Sequence, residues 1–526
     1  MRPSPNLSEN FPANLILLLA ILLGAWLRLT PAAQAGFPIN DGGMFYTMIG
    51  DLQKNGYSLP AFTSYNAAEN IPFAYPPFPL YLAALFNGLF HLPIMQILQW
   101  LPALISIGVV LAFYHMSKAL LGSRLQAALA TLIFALIPRT FSWFLMGGGL
   151  TRSFGQLFLM LTAVSAYFLF VERSRRYLIL TILAGTLAVL SHPEAAIHTV
   201  GLALLIWFFK SRTKTALLDS ILVALGVSAL TALWWLPVLS QHGITPFLNV
   251  AQTGNHSIKA LLPLLKFDFA QEPLLPLITI IGIIGLFVSL IKRNYFFTAW
   301  FVLPFIMEPR SAPWIVTMPL AMLAALALTD LLLPALVSLA PDIPNPFQNK
   351  AALAFLGCVV AYSLLGSYAF ALKMGADHLD ESDQAAMAWV AANTSSGSQF
   401  LVLTGASDPM NDPIQEWFPA LTQRNSQTTL QGKEWTWGAK FIPSLAGYEQ
   451  LQSCFSEDVS CVGQQAQDLN LSFEYIYVRK TMTMQCPDGE NCQYNGVALV
   501  ENLKKSPGRQ LVYESDGAVI FRKSIQ

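Results

Sequence analysis

Asp41 is the residue whose type and surroundings most suggest chemistry, and it lies in the segment PINDGGMFY at positions 38–46. It follows the first long apolar segment and precedes Gly42 and Gly43, which let a ligand approach the backbone closely. A carboxylate in such a loop can act as a general base that takes a proton from a hydroxyl group. An isolated Asp can also be a solvated loop residue or a helix cap, so the interpretation depends on the groups that accompany it.

Two arginines could bind an anion near this carboxylate. Arg152 lies in the segment GLTRS at 149–153, and Arg310 lies in EPRSA at 308–312, where Glu308 accompanies it. Guanidinium groups stabilise negative charge on a departing phosphate, although contacts with lipid headgroups explain arginines at such positions equally well. We predict that Arg152, Arg310 and Glu308 belong to a substrate-binding site.

His192 and Glu194, in the segment SHPE at 191–194, could contact the same phosphate or a metal ion. A structural hydrogen-bonding role is the alternative. A single His-x-Glu does not define a metal site, so no metal ligand is predicted and a divalent cation is not favoured. Tyr75 begins the proline-rich segment YPPFPLY at 75–81, which either lies at the membrane interface beside the substrate or simply breaks the chain before a helix.

The composition indicates that most of the chain meets lipid rather than water. Of the 526 residues, 54% are hydrophobic and 11% are charged, whereas soluble proteins carry about 25% charged residues. The formal net charge of zero gives no indication of a basic surface for nucleic acid. The charged residues are segregated, which predicts a transmembrane domain over 1–374, with an external loop over 31–93, and a soluble domain over 375–526.

A transmembrane helix needs about 20 apolar residues, and this criterion predicts a polytopic α-helical membrane protein with about eleven spans. The predicted spans are 14–30, 95–116, 125–145, 153–171, 177–190, 195–209, 216–239, 274–291, 295–307, 312–333 and 351–372. The segment PAAQAG at 31–36 resembles a signal-peptidase site. However, Glu9 and the single basic residue before the apolar run favour an uncleaved first helix.

Lys and Arg are distributed unequally between the loops on the two sides of the membrane. Loops counted alternately from the N-terminus hold twelve in one set and five in the other. Because cytoplasmic loops carry the excess, the N-terminus is predicted to be cytoplasmic. An odd number of spans then places the soluble domain and Asp41 outside the cytoplasm, in a multi-pass protein of the plasma (inner) membrane.

The cysteines agree with that topology. Cys358 lies in the last predicted span, and the other four lie in the soluble domain. An even number of cysteines outside the cytoplasm predicts disulfides, most simply Cys454–Cys461 and Cys486–Cys492. A four-cysteine zinc site is the alternative, but its usual C-x2-C spacing is absent.

The soluble domain is predicted to be α/β. The pattern over 380–392 is typical of a capped amphipathic helix. Runs of β-branched and aromatic residues at 400–403, 473–478 and 518–521 predict strands.

These groups together suit the transfer of a sugar from a polyprenyl-phosphate carrier to a protein, lipid or glycan acceptor. Phosphate is a good leaving group, so the enzyme has to deprotonate the acceptor hydroxyl, stabilise the departing phosphate and hold the lipid. Asp41 can supply the base, the arginines can supply the positive charge, and a groove between helices can supply the apolar surface. Membrane lipids are the other expected partners.

The chain resembles the GT-C superfamily of membrane glycosyltransferases, which includes protein O-mannosyltransferases, aminoarabinose transferases and oligosaccharyltransferases. The shared layout is a cytoplasmic N-terminus, an acidic residue in the first external loop, interfacial helices after it, many spans and often an external C-terminal domain. The resemblance rests on these segments: NDGG at 40–43, YPP at 75–77, SHP at 191–193, and EWFPAL at 416–421 with GKEW at 432–435, the last two being similar to external domains of bacterial members.

The resemblance implies an inverting hexosyl- or pentosyltransferase with Asp41 as its catalytic residue. Many members carry Asp-Glu or Glu-x-Asp in the first loop, whereas this chain has Asp-Gly. The Trp-Trp-Asp motif of oligosaccharyltransferases is also absent, since Trp234 and Trp235 precede Leu236 in a predicted span. These departures point to a monosaccharide-transferring type and away from a metal requirement.

Two other classes of protein remain open. A transporter or flippase should show inverted repeats and polar residues near the bilayer midplane. The sequence shows neither, and Asp219 and Asp330 lie near the cytoplasmic ends of their spans. A non-catalytic membrane scaffold would tolerate Asp41→Asn without loss of function.

Overall fold

The computed structural model describes residues 7–253, 265, 267–339, 343, 345–485 and 491–524. Helices make up most of the chain as far as residue 375, and a small sheet follows. The helices of this first part are α1 Leu7–Ala35, α2 Gly43–Lys54, α3 Phe78–Phe90, α4 Ile94–Leu121, α5 Arg124–Leu136, α6 Gly149–Phe170, α7 Arg176–Val189, α8 Pro193–Ile206, α9 Lys214–His242, α10 Thr245–Gln252, α11 Leu277–Ile291, α12 Tyr295–Met307, α13 Ala312–Ala327, α14 Leu333–Leu339 and α15 Lys350–Gly375.

Seven helical segments in the described part of the chain are long and apolar enough to cross a membrane. They coincide with seven of the predicted spans, and the polytopic α-helical fold is confirmed. They are Phe11–Ala35, Ile94–Leu121, Gly149–Phe170, Pro193–Ser211, Lys214–His242, Ala312–Leu339 and Lys350–Gly375.

The other four predicted spans fall on the shorter apolar helices α5, α7, α11 and α12, so the total of eleven stays a prediction. The span predicted at 125–145 is shorter in the structure. Its helix ends at Leu136, and Pro138 follows closely. Helices usually end at or before the residue that precedes a proline, because the proline ring disfavours helical backbone there.

Small residues let the central helices pack closely. α13 is buried along nearly its whole length, and α11 presents Gly282 and Gly285 to it. A Cβ atom at Gly285 would collide with the carbonyl oxygen of Leu323. Lipid is as apolar as the side chains, so helices in a membrane depend on close backbone approach for their contacts.

Arg28 of α1 is fully buried. Its guanidinium group donates hydrogen bonds to Ser106 Oγ and Thr140 Oγ1, each at 3.0 Å. It also donates to the carbonyl oxygens of Gly24 and Ala135, at 3.2 and 3.1 Å. Since an unsatisfied charge inside a membrane is costly, this residue ties α1 to α4 and α5.

The soluble part is α/β, as predicted. Five of its strands form a mixed sheet in the order β2-β1-β3-β7-β6, with β1 parallel to β2 and β3, and β7 antiparallel to β3 and β6, while β4 and β5 form a separate hairpin. The elements are α16 Glu381–Asn393, β1 Gln399–Leu403, α17 Pro413–Thr422, β2 Asn425–Ser426, α18 Glu434–Trp437, α19 Phe441–Ser453, α20 Val459–Asp468, β3 Tyr475–Arg479, β4 Thr481–Gln485, β5 Asn491–Asn495, α21 Val497–Lys505, β6 Arg509–Glu514 and β7 Ala518–Lys523.

The predicted helix and the three predicted strands correspond to α16, β1, β3 and β7. Asp380 caps α16 by accepting a hydrogen bond from the backbone N–H of Asp383 at 2.8 Å, which satisfies one of the free donors of the first turn. The short strand β2 and the strands β4 to β6 were not predicted.

One predicted disulfide, Cys454–Cys461, is formed, with the two Cα atoms 5.6 Å apart. The second predicted pair, Cys486–Cys492, lies outside the residues whose side chains are described. Cys358 is a free thiol.

One hydrophobic cluster joins the soluble domain to the membrane helices. It contains Phe45 and Ile49 of α2, Leu80 of α3, and Trp417 and Phe418 of α17. Helices α2 and α3, which follow the first apolar helix, therefore pack against the C-terminal α/β part.

Candidate active site

Asp41 lies between the end of α1 and the start of α2, and its side chain reaches the N-terminus of α6. Its Oδ1 atom accepts a hydrogen bond from the backbone N–H of Gly148 at 2.7 Å. Its Oδ2 atom lies 3.1 Å from Nη2 of Arg152. Backbone N–H groups at a helix N-terminus attract anions, and a guanidinium group adds a charge-assisted hydrogen bond. The carboxylate is therefore buried and held in one orientation.

Glycine allows the loop of Asp41 to come this close to α6. A Cβ atom at Gly148 would lie 2.6 Å from Asp41 Oδ2, and one at Gly147 would collide with the carbonyl oxygen of Asp41. Gly42 has a φ of 128°, which residues with a side chain rarely adopt. These glycines are thus required by the geometry around the carboxylate.

Arg152, which we predicted to bind phosphate, forms an ion pair with the candidate base. Its Nη1 atom donates a hydrogen bond to the carbonyl oxygen of Trp143 at 3.2 Å, and its guanidinium group lies 5.5 Å from the centre of that indole ring. Its side chain keeps 24% of its surface exposed. Arg152 can therefore hold the Asp41 carboxylate in its orientation, while part of its guanidinium group stays accessible to a ligand.

Tyr75 lies beside this ion pair. Its hydroxyl group lies 3.3 Å from Thr151 Oγ1, and its ring packs edge-on against Phe45, His192 and Trp435 at centroid distances of 4.9, 6.2 and 6.0 Å. Burial raises the pKa of Tyr75 to about 12. The phenol is therefore protonated at neutral pH and can donate a hydrogen bond.

His192 precedes the first residue of α8 and packs against α6. A Cβ atom at Gly155 would lie 2.8 Å from His192 Cβ, so a glycine is again needed at the contact. Burial lowers the pKa of His192 to about 4, although the negative charge of Glu194 acts in the opposite direction and raises that pKa. The imidazole is neutral at pH 7. Its Nδ1 atom has no hydrogen-bond partner among the described residues.

Glu194 and Arg310 form a loose ion pair, with 3.8 Å between Oε1 and Nε. Oε1 of Glu308 accepts a hydrogen bond from the backbone N–H of Arg310 at 3.3 Å, and His198 Nε2 lies 2.7 Å from Ser311 Oγ. These contacts fix the loop between α12 and α13 against α8. The side chain of Arg310 is 52% exposed, which leaves its guanidinium group accessible.

Glu416, on α17 of the soluble domain, packs against the backbone of the Asp41 loop. Its Oε1 atom accepts hydrogen bonds from the backbone N–H groups of Met44 at 3.0 Å and Gly42 at 3.3 Å, at the start of α2. Burial and the nearby charge of Asp41 raise the pKa of Glu416 to about 8. The next residue, Trp417, is fully buried and donates from Nε1 to the carbonyl oxygen of Asn40 at 2.9 Å.

The backbone of the Asp41 loop is fixed from a second direction. Asn40 has a φ of 49° and donates from Nδ2 to Asp377 Oδ2 at 2.7 Å and to the carbonyl oxygen of Asn411 at 2.9 Å. Asp377 follows α15, the last membrane helix. The first and last membrane helices therefore meet at the residue next to the candidate base.

A second part of the soluble domain, Glu434 and Trp435 of α18, faces Tyr75. Lys433 holds it through an ion pair with Glu69, with 3.1 Å between Nζ and Oε1, and Asn249 donates from Nδ2 to the carbonyl oxygen of Trp435 at 2.9 Å. Burial raises the pKa of the Glu434 carboxyl group.

Sequence reasoning assigned no role to Glu416 or Glu434. Both lie in the two segments that resemble external domains of GT-C members, at 416–421 and 432–435. A signal was therefore present in the sequence, but the approach of Glu416 to the Asp41 loop depends on contacts between residues more than 370 positions apart, such as Gly42 and Glu416.

The residues around Asp41 do not fit a divalent cation. Oδ2 faces the guanidinium group of Arg152 and Oδ1 faces an N–H donor. Glu416, the carboxylate on the other side of Gly42, also directs Oε1 to N–H groups. Within the described ranges, no three His, Cys, Asp or Glu side chains are grouped to hold a metal ion.

The fold is that of the GT-C membrane proteins, which confirms the resemblance seen in the sequence. The archaeal oligosaccharyltransferase AglB from Archaeoglobus fulgidus has a similar structure, with a TM-score of 0.53 and 13% identity over 96% of this chain and 79% of that chain. The arabinofuranosyltransferase AftD from Mycobacteria matches with a TM-score of 0.54 and 16% identity, over 97% of this chain but 40% of that chain. At such identities the likeness concerns the fold.

The chain belongs to the family described as "PTPS_related: 6-pyruvoyl-tetrahydropterin synthase related domain; membrane protein", which matches residues 74–370. No curated protein matches the sequence. The family and the apolar helices establish an integral membrane protein.

Proposed function

We propose that this protein is a glycosyltransferase that transfers a sugar from a polyprenyl-phosphate donor to an acceptor hydroxyl group at the outer face of the membrane. The observation that carries the proposal is the buried Asp41 carboxylate, held by Gly148 and Arg152 where the membrane helices meet the soluble domain. The GT-C fold supports it, since the AglB structure is described as a complex with "an inhibitory peptide and a dolichol-phosphate". The Cys454–Cys461 disulfide supports an oxidising compartment for the soluble domain.

In the proposed reaction, Asp41 accepts the proton of the acceptor hydroxyl group as its oxygen attacks the anomeric carbon of the donor sugar. The bond between that carbon and the phosphate oxygen breaks, and polyprenyl phosphate leaves with the electron pair. A single displacement of this kind inverts the anomeric carbon. Arg310 stabilises the departing phosphate, while Arg152 orients Asp41 and adds positive charge beside it.

The test uses purified protein in lipid nanodiscs with radiolabelled polyprenyl-phosphate sugars and membrane extracts as a source of acceptor. Asp41→Asn keeps the shape but removes the basicity, so turnover should fall by about 10²–10⁴-fold, the usual contribution of a general base. Donor binding should change little. Arg310→Ala should weaken both donor binding and turnover, because its charge attracts phosphate in the ground and transition states. Transfer at the wild-type rate by Asp41→Asn would refute the assignment.

A further inference from the structure

Glu434 is an acidic side chain of the soluble domain that the proposed reaction does not use. Its Oε2 atom is shielded from solvent and has no hydrogen-bond partner among the described residues. Leaving a buried polar atom in that state is energetically costly. Such atoms are uncommon in folded proteins and call for an explanation such as a missing water or ligand.

The groups around Glu434 match a sugar that is joined to a phosphate. Burial raises the pKa of its carboxyl group, whereas hydrogen bonds from the backbone N–H groups of Glu434 and Gly432 and the positive charges of Arg310 and Arg152 lower it. Those arginines form their ion pairs with Glu194 and Asp41. A ligand that contacts these groups would meet an acceptor for hydroxyl hydrogens in Glu434 and positive charge in the arginines. A neutral polyol attached to an anion has that pattern of groups.

Aromatic surface accompanies the carboxyl group. Trp435 follows Glu434 in the chain, and its ring packs edge-on against that of Tyr75 at a centroid distance of 6.0 Å. Ligand sites are commonly lined by aromatic side chains with a few polar groups that fix orientation. The imidazole of His192 also packs edge-on against Tyr75. Its Nδ1 atom likewise has no hydrogen-bond partner in the described part of the chain.

The position of Glu434 is set before any ligand binds. Its neighbour Lys433 is almost fully buried, pairs with Glu69 and lies 4.8 Å from the centre of the Trp437 ring. Gly432 has a φ of 87° and packs on Ile71. A side chain on such a fixed segment can discriminate between ligands, because the protein loses little conformational entropy when the ligand binds.

We propose that the Glu434 carboxyl group binds hydroxyl groups of the sugar ring of the lipid-linked donor, with Trp435 and Tyr75 packed beside that ring. The proposal rests on the proposed function, since it places the sugar next to a phosphate bound near Arg310. It makes the soluble domain part of the donor site and Glu434 a determinant of which sugar is accepted.

The experiment measures the affinity of nanodisc-embedded protein for undecaprenyl phosphate and for the same lipid carrying mannose, glucose or arabinose. Wild type should bind at least one sugar-bearing lipid more tightly than undecaprenyl phosphate. Glu434→Gln and Glu434→Ala should reduce that advantage by about 10–100-fold, the range for hydrogen bonds to a charged group. Both variants should bind undecaprenyl phosphate within about twofold of wild type, which also shows that they are folded. The control is Glu449→Gln, an exposed glutamate of α19, which should change neither affinity.

Equal loss of affinity for all four lipids in the Glu434 variants would overturn the proposal, and so would an unchanged preference for the sugar. A wild type that binds undecaprenyl phosphate but gains nothing from any of the three sugars would overturn it while leaving the phosphate site intact. A wild type that binds none of the lipids would overturn the proposed function as well. If the Glu434 variants kept the preference for the sugar-bearing lipid but showed a raised KM for the acceptor, Glu434 would belong to the acceptor site. That result would also contradict the proposal.

Discussion

Glu416 gives a sharp test of how the soluble domain docks on the Asp41 loop. Burial and the charge of Asp41 raise its pKa from 4.5 to about 8 in the folded protein. Because the folded-state pKa lies above that of the free carboxyl group, Glu416 contributes its full stabilisation below about pH 4.5 and loses it as the pH rises through about 8. Glu416→Gln mimics the protonated form and should remove this dependence on pH.

The two pKa values bound the size of the effect. One pKa unit corresponds to 1.36 kcal/mol, so the interval from 4.5 to about 8 gives an upper limit of about 5 kcal/mol. In a domain of about 150 residues each kcal/mol shifts the melting temperature by about 2–4 °C, so we expect the melting temperature of Glu416→Gln to exceed that of wild type by up to about 10–20 °C at pH 9. At pH 5 the two should differ by less than about 2 °C, because wild-type Glu416 is then protonated.

Thermal unfolding in nanodiscs, followed by tryptophan fluorescence between pH 5 and 9, measures this difference. Trp417 is adjacent to Glu416 and fully buried, so its emission should report the loss of docking. Glu449→Gln is the matched control and should follow wild type at every pH. A pH-independent offset would contradict the reasoning. Greater stability of wild type at pH 9 would show that the N–H groups of Met44 and Gly42 stabilise the anion more than burial destabilises it.

Three further outcomes are expected. Gly148→Ala should lower turnover at least about tenfold, because the added Cβ atom would displace Asp41. The control Gly108→Ala, where an added Cβ has open space, should not lower it. Equal rates for the two variants would contradict the close contact between Gly148 and the Asp41 carboxylate. Arg28→Met should lower stability by about 2–4 kcal/mol, because it leaves buried acceptors unsatisfied, and an unchanged unfolding midpoint in detergent would refute that role. Thiol labelling without reductant should modify Cys358 and no cysteine of the soluble domain, and modification of all five cysteines would rule the disulfides out.

Local patterns predicted the apolar helices. The span predicted at 295–307 matches α12 residue for residue, and the one at 351–372 lies within α15. Hydropathy succeeds here because a segment in lipid has to satisfy its own backbone hydrogen bonds as a helix. It failed at α5, where a proline near the end shortened the helix. The proline-rich segment that begins at Tyr75 leads into α3, Phe78–Phe90, which agrees with the predicted break before a helix.

The candidate site was predicted in part. Asp41, Arg152 and Tyr75 were all selected, and the structure brings them together. The direct pairing of Arg152 with Asp41 was not foreseen, because the sequence separates them by 111 positions. It depends on Gly148, whose missing side chain admits the carboxylate to the start of α6.

The sequence alone determined that this is a membrane protein with many helices, an α/β C-terminal part and an acidic residue after its first apolar helix, because each of these follows from composition or periodicity within a short window. Only the tertiary structure decided what surrounds that acidic residue. Glu416 reaches its loop through the docking of α17 on the start of α2, and Asn40 is held by Asp377 at the end of the last membrane helix. Such contacts depend on the shapes of whole packed elements, which no local pattern of residues records.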